Sequence, residues 1–277
     1  MVDAGIRLAT GAGLRRPPGR RRHTAGGWAR SVLLAGITAA VLIPLVPVLR
    51  SAVVGRDGRF APLAVLGQLA SGPSLTWFLN SVVVTLATVA ITVAVAAPAG
   101  YALARARGRA VDASATVLLG LQSLPAMVLL PPMFVMLVQV GGVDSLAWLV
   151  VLYVAFSLAV ATWTATSWFS TLPPEVEEAA LLDGCSAFGA FVRVVLPSSG
   201  PALLSTALIT FLFAWNDYWI ALLFIQDQAT FTIGLALVSA GRTPALALLA
   251  LLPPLVAFLA LHRWFRFGGV ADSAIAR

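Results

Sequence analysis

An acidic segment near the middle of the chain has the spacing of a short amphipathic helix. Glu175, Glu177 and Glu178 follow closely after Pro174. Proline suits the first position of a helix, and carboxylates are stabilised at the positive end of the helix dipole. Gly184 permits the left-handed turn that ends such a helix. We therefore predict an amphipathic helix that begins near Pro174 and ends before Gly184.

A second short helical stretch is predicted to continue as far as about Val195. Leu196 and Pro197 come next, and proline breaks a helix because it lacks a backbone N–H. The two stretches form a polar segment over residues 173–197, which we call the coupling segment. It is more elaborate than a plain connector between two apolar runs.

The residue types that catalysis and metal binding require are scarce. All 18 basic residues are arginines, which excludes a site that depends on lysine, such as a P-loop or a Schiff base. The single cysteine, Cys185, excludes an intrachain disulfide and a cysteine-cluster metal site. His23 and His262 are far apart in sequence and form no recognisable metal or acid–base group. We expect no catalytic site, metal or cofactor in this chain, so that it is not an enzyme.

The composition is that of an integral membrane protein. Of 277 residues, 60% are hydrophobic and 10% are charged, whereas about a quarter are charged in a soluble domain. The mean hydropathy is +0.94. These values exclude a soluble globular protein and a disordered chain.

The apolar runs predict an all-α membrane protein with about six transmembrane helices. A hydrocarbon core of about 30 Å takes roughly 20 helical residues. Runs of that length lie near residues 29–49, 80–104, 114–138, 145–169, 201–225 and 244–264. The remaining divisions are a basic N-terminal arm (1–28), a loop (50–79), a five-helix core (80–267) that contains the coupling segment, and a tail (268–277). Proline inside several runs indicates either a cavity between kinked helices or the ordinary frequency of proline in membrane helices.

Arginine is distributed unevenly between the two sides of this arrangement. With both termini in the cytoplasm, the outer segments hold only Arg50, Arg56, Arg59 and Arg242. The inner segments hold the other arginines: Arg7, Arg15, Arg16, Arg20, Arg21, Arg22, Arg30, Arg105, Arg107, Arg109, Arg193, Arg263, Arg266 and Arg277. This bias obeys the positive-inside rule and predicts a multi-pass membrane protein with both termini in the cytoplasm. The same rule and contact with anionic lipid explain the basic arm, so we expect no nucleic-acid partner.

The coupling segment resembles a known signature. Glu178-Ala179-Ala180, three residues, Gly184, nine residues and then Val194-Val195-Leu196-Pro197 is similar to the EAA signature of permease subunits in ATP-binding-cassette (ABC) importers. The flanking stretches resemble the carbohydrate-uptake type, and in particular its maltose-permease-G-like half. Those stretches, which bring the resemblance to about residues 75–277, are Asn80-Ser81, Ala99-Gly100-Tyr101-Ala102-Leu103-Ala104-Arg105, Gln122 with Pro125, and Phe213-Ala214-Trp215-Asn216-Asp217-Tyr218.

The resemblance implies that the helix at Pro174 docks on a cytoplasmic ATPase and transmits its closure to the membrane helices. The apolar face of Ala179, Ala180 and Leu182 would pack in a groove there, with Glu178 paired to a basic residue. The coupling residues implied are Glu177, Glu178, Ala179, Ala180, Leu182, Asp183, Gly184, Leu196 and Pro197. The alternative is that Glu177, Glu178 and Asp183 form a solvated face.

The partners that the resemblance implies are a second homologous permease subunit, two ATPase subunits or domains and an extracytoplasmic solute-binding protein, all around a lipid bilayer. ATP and Mg²⁺ would be bound by the ATPase, and the small polar solute would be a carbohydrate. Two other functions stay open on the residues alone. A secondary carrier or channel also uses kinked helices, and a membrane enzyme could act on lipid.

Polar residues within the predicted spans are candidates for the solute path. Asp217 is the only acidic residue in the six spans and lies eight residues before Ile225. An ionisable group inside the bilayer is costly and needs a partner or water. Candidates that could contact a sugar are Gln122, Trp215, Asn216, Asp217 and Tyr218. The alternative is an interfacial aromatic belt with a hydrogen bond between helices and no solute contact.

Overall fold

The computed structural model describes residues 25–43, 72–239 and 244–267, with a few isolated positions between 46 and 67. Residues 1–24 of the predicted N-terminal arm, the predicted C-terminal tail and most of the predicted loop at 50–79 lie outside the described residues, whereas residues 25–28 of the arm begin α1. The chain divides into two compact units, 1–47 and 48–277. In the first unit, helix α1 (Ala25–Leu42) contains an apolar stretch over Ser31–Ala40.

The described part of the second unit is helical. Its helices are α2 (Ser74–Arg105), α3 (Arg109–Ser123), α4 (Ala126–Gln139), α5 (Leu146–Phe169), α6 (Pro174–Leu182), α7 (Ala187–Ser198), α8 (Gly200–Asn216), α9 (Trp219–Phe224), α10 (Ile233–Ser239) and α11 (Pro244–Phe267). One turn of 3₁₀-helix lies at Gln228–Thr230. This architecture agrees with the predicted all-α membrane fold.

Two helices in the described residues are each long and apolar enough to cross a bilayer. They are α2, with 32 residues, and α5, with 24. The bent pairs α3–α4 and α7–α8 raise the number to four if each pair is one span. Helix α2 begins at Ser74, six residues before the predicted second span. Pro98 lies inside α2 without ending it.

The predicted third and fifth spans are not continuous helices. Helices α3 and α4 meet at an angle of 93°, where Leu124 is extended before Pro125. Proline forces the residue before it away from helical geometry, which explains the break. The predicted span 201–225 is interrupted at Asp217, whose backbone is extended with ψ of 136°. The predicted spans 114–138 and 201–225 each therefore contain two helices.

Helices α2 and α5 form the most extensive contact between helices in the described fold. A Cβ atom on Gly100 would lie 2.6 Å from the Cβ of Ala165 and 2.8 Å from the backbone nitrogen of Thr166. Along the same contact, the hydroxyls of Thr92 and Ser157 lie 3.0 Å apart. A small residue at position 100 is what allows the two backbones to approach.

Buried side chains form two clusters at opposite ends of α2. One surrounds its start and contains Trp77, Tyr153, Trp215 and Phe224. The other surrounds its end and contains Ala165, Phe169, Phe191 and Val195, with Tyr101 packed against them. The second cluster places the end of α2 beside the coupling segment.

The contact at Gly100 gives the first prediction. Gly100→Ala should lower the free energy of unfolding by about 1–3 kcal/mol, since the added methyl group forces two packed backbones apart. Thermal unfolding in detergent measures this effect. Gly120→Ala is the matched control, because a Cβ there meets nothing within 4 Å. Equal stability of the two variants would contradict the close approach of α2 and α5.

Candidate functional site

The first helix of the coupling segment has the boundaries that its sequence dictates. Pro174 occupies the first turn of α6, and Asp183 is the C-cap. Gly184 follows with φ of +87°. Its N–H donates to the carbonyl of Leu181 at 3.0 Å, and the N–H of Cys185 donates to the carbonyl of Ala180 at 3.0 Å. These two bonds form a Schellman motif, so the left-handed turn expected at Gly184 is present.

The second helix is capped and then distorted by local chemistry. The Ser186 hydroxyl accepts the N–H of Gly189 at 3.1 Å and caps the start of α7. A turn of π-helix over Phe191–Val195 precedes Pro197. Because Pro197 has no N–H, the carbonyl that it would have paired with in a regular helix is free to shift. The hydroxyls of Ser198 and Ser199 both donate to the carbonyl of Val195.

The coupling segment presents an apolar surface outward from this chain. Leu182 is 89% exposed and Phe188 is 76% exposed. Large apolar side chains exposed in this way are typical of a surface that binds another protein. Glu178, Ala179 and the C-cap Asp183 are exposed as well. We call Leu182 and Phe188 the outward patch.

Ala180 lies on the opposite side of α6. Its side chain is 7% exposed and is covered by the chain itself. This corrects the expectation that Ala179, Ala180 and Leu182 share one docking face, because consecutive positions on a helix point in directions about 100° apart. Ala179 and Leu182 remain on the exposed side.

Glu177 faces inward and binds the end of α2. Its Oε2 accepts the Nε–H of Arg105 at 3.0 Å, and its Oε1 accepts the hydroxyl of Tyr101. Arg105 also donates through Nη2 to the carbonyl of Leu172 at 3.2 Å, just before α6. The alternative in which Glu177 belongs to a solvated acidic face is therefore wrong for this residue, whereas Glu178 is exposed.

Aromatic packing surrounds the inward contact. The ring of Tyr101 lies 4.6 Å from that of Phe191 and 5.7 Å from that of Phe169. Leu196 packs on the same cluster, whereas Pro197 is exposed. From the sequence, Tyr101 is part of the family resemblance only, and Arg105 is part of that resemblance and of the arginine bias. Their i, i+4 spacing places them on one face of α2, which is the signal that could have paired them with an acidic residue.

The candidate path residue Asp217 acts as a structural cap. Its Oδ2 accepts the hydroxyl of Tyr153 at 2.8 Å and the N–H of Ala221 at 3.1 Å, and its Oδ1 accepts the N–H of Ile220 at 3.4 Å. The carboxylate thereby pairs the first N–H groups of α9 at the break after α8. Gly234 fits against the carbonyl of Asp217, which a Cβ would approach to 2.7 Å.

The other path candidates are divided between buried and exposed positions. Trp215 is 5% exposed and donates its Nε1–H to the carbonyl of Ala250 at 2.9 Å. Asn216 is exposed, and its amide donates to the carbonyl of Leu212 in its own helix at 2.8 Å. Tyr218 is half-buried, and Gln122 is exposed. For Trp215 and Asp217 this geometry favours the alternative of bonds between helices over solute contact.

A cleft of about 490 Å³ lies between α5 and α8. Among the residues that line it are Ser157, Thr164, Thr206 and Thr210. The first three donate their hydroxyls to backbone carbonyls of their own helices. The cleft wall is therefore mainly apolar, despite four hydroxyl residues.

The segment at 226–233 is fastened to the start of α2. Trp77 donates its Nε1–H to the carbonyl of Gln228 at 2.7 Å. The Asn80 amide donates to the carbonyls of Ala229 and Phe231, each at 3.0 Å, and the Ser81 hydroxyl accepts the N–H of Ile233 at 2.7 Å. The Asp144 carboxylate accepts the N–H groups of Gln226 and Asp227. Asn80 and Ser81, which belong to the family resemblance, thus hold the segment at 226–233 against the start of α2.

Within the described part of the chain, no group of three or more histidine, cysteine or acidic residues could hold a metal ion. His23 and the side chain of His262 lie outside the described residues.

Comparison with known proteins identifies the family. The family model described as "Binding-protein-dependent transport system inner membrane component" matches residues 96–267. The chain belongs to this family. The resemblance to ABC importer permeases is thereby confirmed.

Relatives with assigned names support the same conclusion. An ABC transporter permease protein of Streptomyces antibioticus is 35% identical over 193 residues, which cover 67% of this chain and 84% of the relative. A trehalose transport system permease protein of Mycobacterium tuberculosis is 31% identical over 66% of this chain and 68% of the relative. The trehalose/maltose transport system permease protein of Thermococcus litoralis is 33% identical over 61% and 63%, respectively.

A solved structure shares the fold. A chain from the crystal structure of a bacterial ABC transporter involved in the import of the acidic polysaccharide alginate matches with a TM-score of 0.76. The match covers 90% of this chain and all of that chain, at 18% identity.

The cap at Asp217 gives the second prediction. Asp217→Leu should cost about 1–3 kcal/mol of stability, because the Tyr153 hydroxyl and the N–H groups of α9 lose their acceptor. Asn216→Leu is the matched control, since that exposed amide bonds only its own helix. Thermal unfolding in detergent compares the two. A larger loss for Asn216→Leu would contradict the capping role.

Proposed function

We propose that this chain is the transmembrane permease subunit of an ABC importer for a sugar or sugar-like solute, and that it forms half of the solute path. The observation that carries the proposal is the coupling segment, which combines an exposed apolar patch with an inward bond to a membrane helix. Its position within the matched family region, residues 96–267, supports the same function.

Carbohydrate is the solute class that the relatives favour. Two of those described above are named for trehalose or for trehalose and maltose. Another relative is named as a maltodextrin transport system permease protein in Bacillus subtilis. We extend this solute class to the present chain on the strength of the family and of the stretches that it shares with the carbohydrate type.

The outward patch is the proposed docking surface for the ATPase. Leu182 and Phe188 would enter a groove, and Glu178 would pair with a basic residue at its rim. Gly184, Asp183, Leu196 and Pro197 would shape the segment rather than contact nucleotide. ATP and Mg²⁺ would be bound on the ATPase, so that this chain hydrolyses nothing itself.

The proposed assembly contains this chain, a second homologous permease subunit, two ATPase subunits or domains and an extracytoplasmic solute-binding protein. We place the chain in the bacterial inner membrane with both termini in the cytoplasm, as the arginine bias indicates. In that orientation the coupling segment faces the cytoplasm, and the segment at 226–233 faces outward.

A pull-down from mild detergent tests the proposed assembly. The tagged chain should recover an ATPase, a second permease and a solute-binding protein, identified by mass spectrometry. A secondary carrier would instead transport when reconstituted alone, and recovery of no ATPase together with such transport would reject the importer.

The outward patch gives the third prediction. Leu182→Glu should reduce co-purification of the ATPase by about tenfold or more, because a central apolar contact at an interface is worth about 2 kcal/mol. Thr171→Glu is the control, since it adds the same charge at an exposed position before α6. Quantitative pull-down measures the ratio, with gel filtration to verify folding. Undiminished recovery with Leu182→Glu would place the docking surface elsewhere.

A further inference from the structure

We propose that Tyr101, Arg105 and Glu177 form a contact, which we call the relay joint, between the coupling segment and α2. Through this contact, a displacement of the coupling segment moves α2 as a whole. This inference rests on the proposed function, because it assumes that an ATPase moves the coupling segment. It assigns a positioning role to two residues of α2 that lie outside the EAA signature.

The joint uses the face of α6 that the ATPase does not reach. Glu177 points inward while Glu178, next to it, is exposed. Both carboxylate oxygens of Glu177 are engaged, one by Tyr101 and one by Arg105. A charge-assisted pair with two acceptors fixes direction as well as distance. The outer face can therefore bind a partner while the inner face stays attached to α2.

A second bond from Arg105 prevents α6 from pivoting freely. Its Nη2–H donates to the carbonyl of Leu172 at 3.2 Å, two residues before α6 begins. One guanidinium thus holds the turn before α6 and a side chain within it. Rotation of α6 about either contact alone would break the other.

Packing around Tyr101 makes the joint stiff. Its ring contacts Phe169 at the end of α5 and Phe191 in α7, so that one side chain touches three elements. Gly100, the residue before it, holds α2 against α5. Close-packed interiors shift between discrete arrangements rather than deform continuously. A displacement of α6 is therefore transmitted to α2.

The other end of α2 holds the segment at 226–233. Trp77 and Asn80 donate to its carbonyls, and Ser81 accepts from Ile233. Trp77 and Tyr101 are 24 positions apart in one helix, a rise of roughly 36 Å, which is enough to cross a bilayer core. Helix α2, which continues through Pro98 without a break, therefore joins the coupling segment to the segment on the opposite face.

The experiment measures both ends of α2 in the reconstituted complex. In a Cys185→Ala background, Gln226→Cys supplies a thiol at an exposed position of the far segment. Its labelling rate with a membrane-impermeant maleimide is measured with and without ATP plus vanadate. ATPase co-purification and hydrolysis stimulated by the solute-loaded binding protein are measured on the same samples.

The test variants are Glu177→Gln, Arg105→Gln and Tyr101→Phe, with Glu175→Gln and Arg107→Gln as exposed controls. The charged-pair variants should retain the ATPase but lose stimulated hydrolysis by about tenfold, as expected for one charge-assisted hydrogen bond. They should also lose the nucleotide-dependent change in labelling. Tyr101→Phe keeps the ring packing and should show a smaller loss. The exchange Glu177→Arg with Arg105→Glu should recover part of both signals.

Several results would overturn the joint. Wild-type behaviour of Glu177→Gln and Arg105→Gln would do so, as would an exchanged pair no better than the single variants. Release of the ATPase by these variants would also overturn it, because the contact would then only shape the docking surface. If the unaltered chain recovers no ATPase, the proposed function itself fails, and that outcome is distinct from all of these.

Discussion

The Glu177 carboxylate is the contact on which the proposed mechanism of this protein depends. It is shared between a tyrosine and an arginine on α2, and side chains at this site are only about one-fifth exposed, at 21% for Arg105 and 17% for Glu177. A pair shielded in this way is screened less by salt than a surface pair. Without it, α6 would be joined to α2 only through the bond from Arg105 to the Leu172 carbonyl and through apolar packing. With it, the helix proposed to contact the ATPase is also part of the membrane bundle.

A second constraint explains why polar residues interrupt the apolar helices. In lipid, every backbone group freed at a break needs a partner within the protein. Asp217 accepts backbone N–H groups of α9, and Asp144 accepts the N–H groups of residues 226 and 227. Asn80 donates to the carbonyls of residues 229 and 231. Of these three side chains, only Asp217 is a solute-path candidate from the sequence. Their bonds show that they hold broken helices in place, which leaves Asn216 and Gln122 as the exposed polar candidates.

The sequence predicts those features whose cause is local. The start of α6 at Pro174 and its end at Gly184 follow from proline and glycine preferences, and both are present. The break at Asp217 was missed because hydropathy over a window does not distinguish an aspartate that caps a helix from one that lines a path. The bond between Tyr101 and Glu177 was missed because 76 residues separate them, and only the packing of α2 on α5 brings them together.

Reconstitution into proteoliposomes tests the central claim most directly, namely that this chain transports sugar only with an ATPase attached. The account predicts no uptake of maltose or trehalose by the chain alone. It predicts uptake when the second permease and the ATPase are present, with ATP on the ATPase side of the membrane and the loaded binding protein on the other side. Uptake by the chain alone, independent of ATP, would contradict it.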